Sequence, residues 1–163
     1  MIIYHGSTVS VETPKILKSE RMLDFGEGFY TTFNYEQAVR WSERVAAKRK
    51  TDIQIITEYE FGKEKAGREL AIISFDTPDE KWLDFVYVNR MGKEPDCLYD
   101  IAIGPVANDT IYSTLMLYEQ GVFDKEDTIK RLKVQELFNQ ILFHTEKSLM
   151  YCHYQKHYEV GGN

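Results

Sequence analysis

Cysteine is scarce in this chain of 163 residues: Cys97 and Cys152 are the only two, and no Cys-x-x-Cys spacing joins them. Two thiols so placed are too few for a disulfide framework. No window approaches the roughly 18 consecutive apolar residues of a membrane-spanning helix, so none is expected. The first residues, Met1-Ile-Ile-Tyr-His5, lack a basic segment and a long apolar run and do not read as a cleaved signal peptide. Together these absences point to a soluble cytoplasmic protein with reduced thiols. Positive charge is also in deficit, since 20 Lys and Arg against 26 Asp and Glu leave a net charge of −6. A protein that grips a nucleic-acid backbone usually carries the opposite sign, so nucleic acid is not an expected partner. With four prolines, ten glycines and no linker, repeat or low-complexity block, nothing divides the sequence. Residues 1–163 read as one globular domain. A chain of this size buries roughly 70% of the surface it exposes when unfolded.

Aromatic residues are abundant, at 13% of the chain with eleven Tyr and nine Phe. The apolar run Ile2-Ile3-Tyr4 predicts a first strand that delivers His5-Gly6-Ser7 to its end. Asp24-Phe-Gly-Glu-Gly28 is a turn-rich loop leading into the β-favouring segment Phe29-Tyr30-Thr31-Thr32. Asn34 starts a helix, with Gln37 placed as in a capping box and Ala38, Trp41, Val45 and Ala46 at helical spacing. Lys48-Arg49-Lys50 then complements the helix C-terminus rather than forming a nucleic-acid patch. Strands are predicted at 53–61 and 70–75 around a charged turn from Gly62 to Gly67. A helix opens at Pro78, in its first turn, and carries Trp82, Phe85, Val86 and Asn89. Tyr99 to Pro105 reads as a strand, followed by helices from about Asp109 to Gln120 and from about Lys125 to Val134. Gly121 ends the first of these and Asp124 caps the second. Asn139 to His144 reads as the last strand, and Thr145 as the cap of a final helix reaching Tyr158. Strands and helices mix without strict βαβ alternation, which makes the fold class α+β.

Four constellations carry side chains capable of chemistry. Tyr4-His5-Gly6-Ser7 puts an imidazole at a strand end, where it serves either the scaffold or a site. In Gly26-Glu-Gly28-Phe-Tyr30, two glycines one residue apart permit positive φ or close backbone approach to a ligand. The segment lacks the third glycine of a dinucleotide fingerprint and the Gly-Lys-Ser/Thr of a phosphate loop, and an ordinary turn is its plainer reading. Asn139-Gln140 opens an apolar strand ending at His144, so one polar side chain points into a cleft or simply meets solvent. His153 and His157 stand four apart, which on a helix places both on one face, as a metal pair requires. No third ligand and no adjacent Glu accompany them, so a packed or solvated face is expected and no metal.

Taken in this order, the first three constellations resemble the motifs of the ADP-ribosyltransferase superfamily, in its His-Tyr-Glu branch of diphtheria-toxin-like and poly(ADP-ribose)-polymerase-like enzymes. The whole chain is also similar to a family of small single-domain bacterial proteins. That likeness runs through Tyr-His-Gly-Ser, Asp-Phe-Gly-x-Gly-Phe-Tyr-Thr-Thr, Tyr-Asp-Ile-x-Ile-Gly-Pro-Val-Ala and Phe-His-Thr-Glu-Lys. The superfamily resemblance implies a split, mixed β-sheet with NAD+ as co-substrate in its cleft. By motif, Gly6 meets the nicotinamide carboxamide through its backbone and Tyr30 stacks on the nicotinamide ring. His5 donates to a ribose hydroxyl while its other nitrogen is held by the scaffold. Ser7, Gly26, Gly28 and Thr32 belong to the same implied NAD site.

The implied reaction cleaves the nicotinamide–ribose bond through an oxocarbenium-like state and transfers ADP-ribose to a protein or other macromolecular acceptor. In the superfamily a Glu on the late strand faces the developing cation; here that position is Gln140. Glutamine still accepts a hydrogen bond from ribose but brings neither charge nor base. Losing such a contact costs about 3–4 kcal/mol, a hundredfold or more in rate. Glu27, Glu136 and Glu146 are the carboxylates considered as substitutes. The expectation is a mono-ADP-ribosyltransferase-like protein with His5, Tyr30 and Gln140 as catalytic residues. A toxin or defence role, with an antitoxin as candidate partner, comes from the resemblance alone. Two alternatives stand beside it: a non-catalytic NAD+ or ADP-ribose sensor, and a protein-interaction module with His5 and Tyr30 in its core.

Overall fold

The computed structural model describes residues 1–17, 23–93, 98–105, 109–133 and 138–160. Cys97, Glu136 and the expected helix end at Val134 lie outside them. Seven strands form one mixed sheet: β1 (Ile2–Ser7), β2 (Phe29–Thr32), β3 (Ile55–Phe61), β4 (Ile72–Ser74), β5 (Ile101–Pro105), β6 (Asn139–Phe143) and β7 (Cys152–Glu159). Their order across the sheet is β4-β5-β6-β2-β1-β3-β7, with β4 and β5 parallel and the other pairs antiparallel. Between them run α1 (Tyr35–Arg49), α2 (Lys63–Glu69), α3 (Glu80–Arg90), α4 (Asp109–Glu119), α5 (Lys125–Lys133) and α6 (Glu146–Leu149). The class is α+β. No helix among the described residues is long and apolar enough to cross a membrane.

Alternation along the strands gives the sheet a core on each face. Ala102 and Leu142 on one side pack with Phe25 and with Trp82, Leu83, Phe85 and Val86 of α3, Leu115 of α4 and Leu132 of α5. On the other side Ile3, Phe29, Tyr59, Ile101, Ile141 and Phe143 pack with Ala66 of α2 and Leu149 of α6. Most of the abundant aromatics are consumed here: Trp82, Phe25, Tyr59, Phe61 and Phe143 are almost wholly enclosed. Helix α1 crosses β1 so closely that a Cβ on Gly6 would lie 1.9 Å from the Ala38 carbonyl oxygen.

Local chemistry explains the helix starts. Asn34 Oδ1 accepts from the Gln37 N–H at 2.8 Å. The Asn34 N–H is taken by Thr32 Oγ1 at 3.1 Å, so Thr32 rather than Gln37 completes the cap. Asp79 caps α3 by accepting from the Trp82 N–H at 2.9 Å, which places Pro78 ahead of the cap instead of inside the first turn. Asp124 does the same for α5 through the Asp127 N–H at 2.8 Å. Gly121, at φ 73°, ends α4 as expected.

Two sequence expectations are overturned. The charged turn from Gly62 to Gly67 is largely helix: Lys, Glu, Ala and Arg favour helix, and Ala66 gains a fully buried position. The long final helix does not exist. Helix α6 stops at Leu149, and residues 152–159 form β7, whose Cys152, Tyr154 and Tyr158 pair with Phe61, Tyr59 and Ile56 of β3. Aromatic residues on a long neighbouring strand stabilise pairing that helical periodicity does not anticipate. Strand β6 is therefore not the last, and β3 and β4 begin two residues later than expected.

The crowding at Gly6 is directly testable. Gly6→Ala is expected to destabilise the fold by about 2 kcal/mol or more, since backbone rather than a flexible side chain blocks the methyl group. Gly67→Ala, on a helix with open space around it, should gain about 0.5–1 kcal/mol. Denaturant midpoints check both; a neutral Gly6→Ala would contradict the close crossing of α1.

Candidate functional site

The phase of the β1 ladder decides where the site lies. Met1 N donates to the Phe61 carbonyl and Phe61 N donates to the Met1 carbonyl. Alternation then turns the peptide groups of Ile3, His5 and Ser7 toward β3, and those of Tyr4 and Gly6 toward β2. The β1–β2 register is limited to Tyr4↔Thr32. On their outer sides the two strands continue, β1 with β3 to Ser7↔Ile55 and β2 with β6 to Phe29↔Phe143. The strands therefore part after Tyr4, and Gly6 turns its peptide groups toward the opening.

At that opening His5 Nδ1 reaches the Tyr30 carbonyl at 2.8 Å. A carbonyl only accepts, so the proton sits on Nδ1. Burial holds His5 below the ordinary imidazole value of 6.5, the bond to Tyr30 acting in the opposite sense. The ring is neutral near pH ~7, and its Nε2 is an acceptor. A hydroxyl reaching it would be the donor. The imidazole packs on the Phe29 ring, with centroids 4.7 Å apart. Tyr30 points to the other face, against the core that holds Phe25 and Leu142. His5 and Tyr30 thus flank the same opening from opposite sides of the sheet.

The glycine loop is clamped by the protein itself. Tyr30 Oη donates to the Gly26 carbonyl at 2.7 Å and accepts from Phe25 N at 3.3 Å. Burial and the nearby Asp24 keep this phenol protonated, well above its usual range. Tyr99 Oη donates to the Phe25 carbonyl at 2.7 Å, and His144 Nδ1 donates to the Glu27 carbonyl at 2.7 Å. Gly26 has φ 86°, where a Cβ would sit 2.8 Å from Asn89 Oδ1. Gly28 has φ 150°, and a Cβ there would lie 2.3 Å from the Phe143 carbonyl oxygen. The close approach that Gly28 permits is to strand β6.

Strands β6, β2 and β1 are consecutive in the sheet, so Gln140, Thr32 and Tyr4 stand side by side and bring the three motif-bearing strands together although they lie far apart in sequence. Gln140 pairs with Thr32 on one side and Gly104 on the other, and is 4% exposed. No side-chain hydrogen bond engages its amide among the described residues, and no fully enclosed side-chain N or O there lacks a partner, so the amide is not sealed off. Gln140 shares the Tyr30 face of the sheet, since Thr32 and Tyr30 are two residues apart on β2. The Thr32 hydroxyl is occupied, donating to the Asn139 carbonyl at 2.9 Å while capping α1. Ser7 is buried at the end of β1, and the next residue, Thr8, accepts from Arg49 Nη1 at 2.6 Å.

Other candidates stand apart. Glu27 is exposed on the glycine loop, and Glu146 is exposed in the first turn of α6. His153 pairs with Glu60 and His157 with Thr57, positions of opposite parity on β3, so the two imidazoles face opposite sides and do not form a metal pair. His157 Nδ1 instead meets Tyr154 Oη at 2.7 Å. Burial pushes the Cys152 thiol up to about 12, which removes it as a nucleophile. Tyr99 and His144 emerge only in the structure as loop-holding residues, their rings stacked 4.6 Å apart. Their neighbours lock together as well: Asp100 accepts from Thr145 Oγ1 at 2.9 Å and pairs with Lys147 at 3.0 Å. The only sequence signal for this tie was that Tyr99-Asp100 and His144-Thr145 fall in the quoted family segments.

An α+β domain with one mixed sheet and a clamped glycine loop at a strand split defines the class. Residues 1–154 match the model of a family described as protein of unknown function, DUF3990, and the chain belongs to that family. No curated protein and no solved structure matches it.

Two measurements probe the site. Below pH 6.5 the unfolded chain protonates His5 while the folded chain does not, so its contribution is present above that pH and lost as pH falls. His5→Asn, whose amide can replace the Nδ1 donor, should flatten this part of the stability profile. An unchanged slope would contradict a neutral, enclosed His5. Tyr30→Phe keeps the ring but frees two backbone groups of the loop, and should cost about 1–2 kcal/mol by denaturant unfolding.

Proposed function

We propose that this protein binds NAD+ at the split between β1 and β2 and acts as a mono-ADP-ribosyltransferase-like protein. The observation that carries the reading is the meeting of three dispersed motifs on β6, β2 and β1, at the point where β1 and β2 part. The split sheet of that superfamily is part of the proposal. Gly6 supports it because its peptide groups face the opening, where a planar carboxamide needs one donor and one acceptor. His5 would accept from a ribose hydroxyl through Nε2. The Tyr30 ring would offer an aromatic face while its hydroxyl stays on the loop. Gln140 would bring its amide to the ribose. NAD+ would supply the scissile nicotinamide–ribose bond, and these residues would bind and orient it.

Gln140 favours a second reading, a non-catalytic NAD+ or ADP-ribose sensor. An uncharged amide orients a ribose but does not stabilise a developing oxocarbenium ion electrostatically. Glu27 would remain the carboxylate of the glycine loop, and Glu146 is better read as a first-turn acid favoured by the helix N-terminus. The acceptor would be a protein or other macromolecule, and toxin or defence action with an antitoxin partner belongs to the same proposal.

Turnover of isotope-labelled NAD+ tests both readings. Release of nicotinamide, with label on an acceptor in lysate, is expected for the transferase. NAD+-induced thermal stabilisation without release would select the sensor. If neither NAD+ nor ADP-ribose shifts the melting curve, both readings fail and an interaction module is left. Gln140→Glu should raise NAD+ hydrolysis by a hundredfold or more, on the scale of about 3 kcal/mol for such a contact. An unchanged rate would argue against residue 140 at the ribose.

A further inference from the structure

At the far end of the sheet, three strands from β2, β4 is an edge strand. Its bonds to β5 fix which groups are free. The Ala71 carbonyl accepts from Ile101 N at 3.2 Å, and Phe75 N donates to the Ile103 carbonyl at 2.8 Å. Residues 71, 73 and 75 therefore face β5, while Ile72 and Ser74 turn their N–H and C=O groups outward. No strand among the described residues takes them. A groove of about 610 Å³ opens beside this edge, between β4 and α3. Its apolar lining comes from Ile73, Phe75, Phe85 and Val88.

The rim of the groove has a dominant sign. Asp76, Asp79 and Asp84 line it against one cation, Lys81. Asp84 is held by Lys125 at 2.7 Å, whereas Asp76 and Asp79 have no cation partner among the described residues. We propose that this edge and groove bind an extended, lysine- or arginine-bearing segment of a partner protein, added as an eighth strand beside β4. Backbone bonds to Ile72 and Ser74 give such a segment its register. Strand periodicity then turns every second side chain of the segment toward the groove, whose apolar floor and acidic rim lie together on that face. The same charges oppose a second copy of this edge, because self-pairing brings like charges together. A basic strand is the complement that the rim selects.

Binding of a short fluorescein-labelled peptide of alternating lysine and valine, followed by anisotropy on the full chain, tests this. Saturable binding is expected, with slowed amide hydrogen exchange at Ile72 and Ser74. Asp76→Lys should weaken it at least tenfold, an exposed change that leaves the core intact. Ser74→Pro removes an outward N–H at an edge position where proline is tolerated, and should weaken it similarly. No binding, equal binding of a glutamate–valine peptide, or binding insensitive to both variants would overturn the proposal. So would protection of amides elsewhere with none at Ile72 and Ser74. None of these outcomes depends on NAD+ binding at the β1–β2 split.

Discussion

A side chain bonds the carbonyl that faces the parting of two central strands. The His5 imidazole donates to the Tyr30 carbonyl at 2.8 Å, beyond the Tyr4↔Thr32 pair of β1 and β2. That contact holds the parted strands together while Gly6, the next residue on β1, turns its peptide groups toward the opening. The geometry in turn requires glycine at position 6, because α1 lies directly over it and any side chain would strike the Ala38 carbonyl. One bond and one missing side chain thus set the shape of the candidate site.

The rest of the molecule holds that arrangement in place. Tyr30, Tyr99 and His144 each bind a backbone group of the glycine loop, so the loop is fixed from three directions. Arg90 of α3 pairs with Asp24 at the head of the loop and with Glu119 of α4, linking the loop to the helical layer. Thr32 serves the β2–β6 ladder and the α1 cap with one hydroxyl. Polar groups that look available in the sequence are largely committed to the scaffold, as the hydroxyls of Tyr30 and Thr32 are.

Much of this was readable from the residues. Asn34, Asp124 and Gly121 marked their helix ends correctly because capping is local chemistry, decided within a few residues. The segment from Lys63 to Glu69 misled because Gly62 before it and Gly67 within it suggested a turn, whereas burial of Ala66 stabilises a helix there. Residues 152–159 misled more seriously. Their strand is made by β3, some hundred residues earlier, and no local pattern reports a partner so distant. The correction also separates His153 from His157. For the site, the residue types and their order were readable, but the clamp of Tyr99 and His144 on the loop was not. Nor was the tautomer of His5, which depends on a carbonyl of another strand.

Binding at the split is best tested atom by atom. NAD+ titrated into isotopically labelled protein and followed by amide NMR should give saturable shifts at Gly6, with His5 and Tyr30 moving in step. Saturable shifts confined to other regions, with the Gly6 amide unmoved, would contradict NAD+ recognition between β1 and β2.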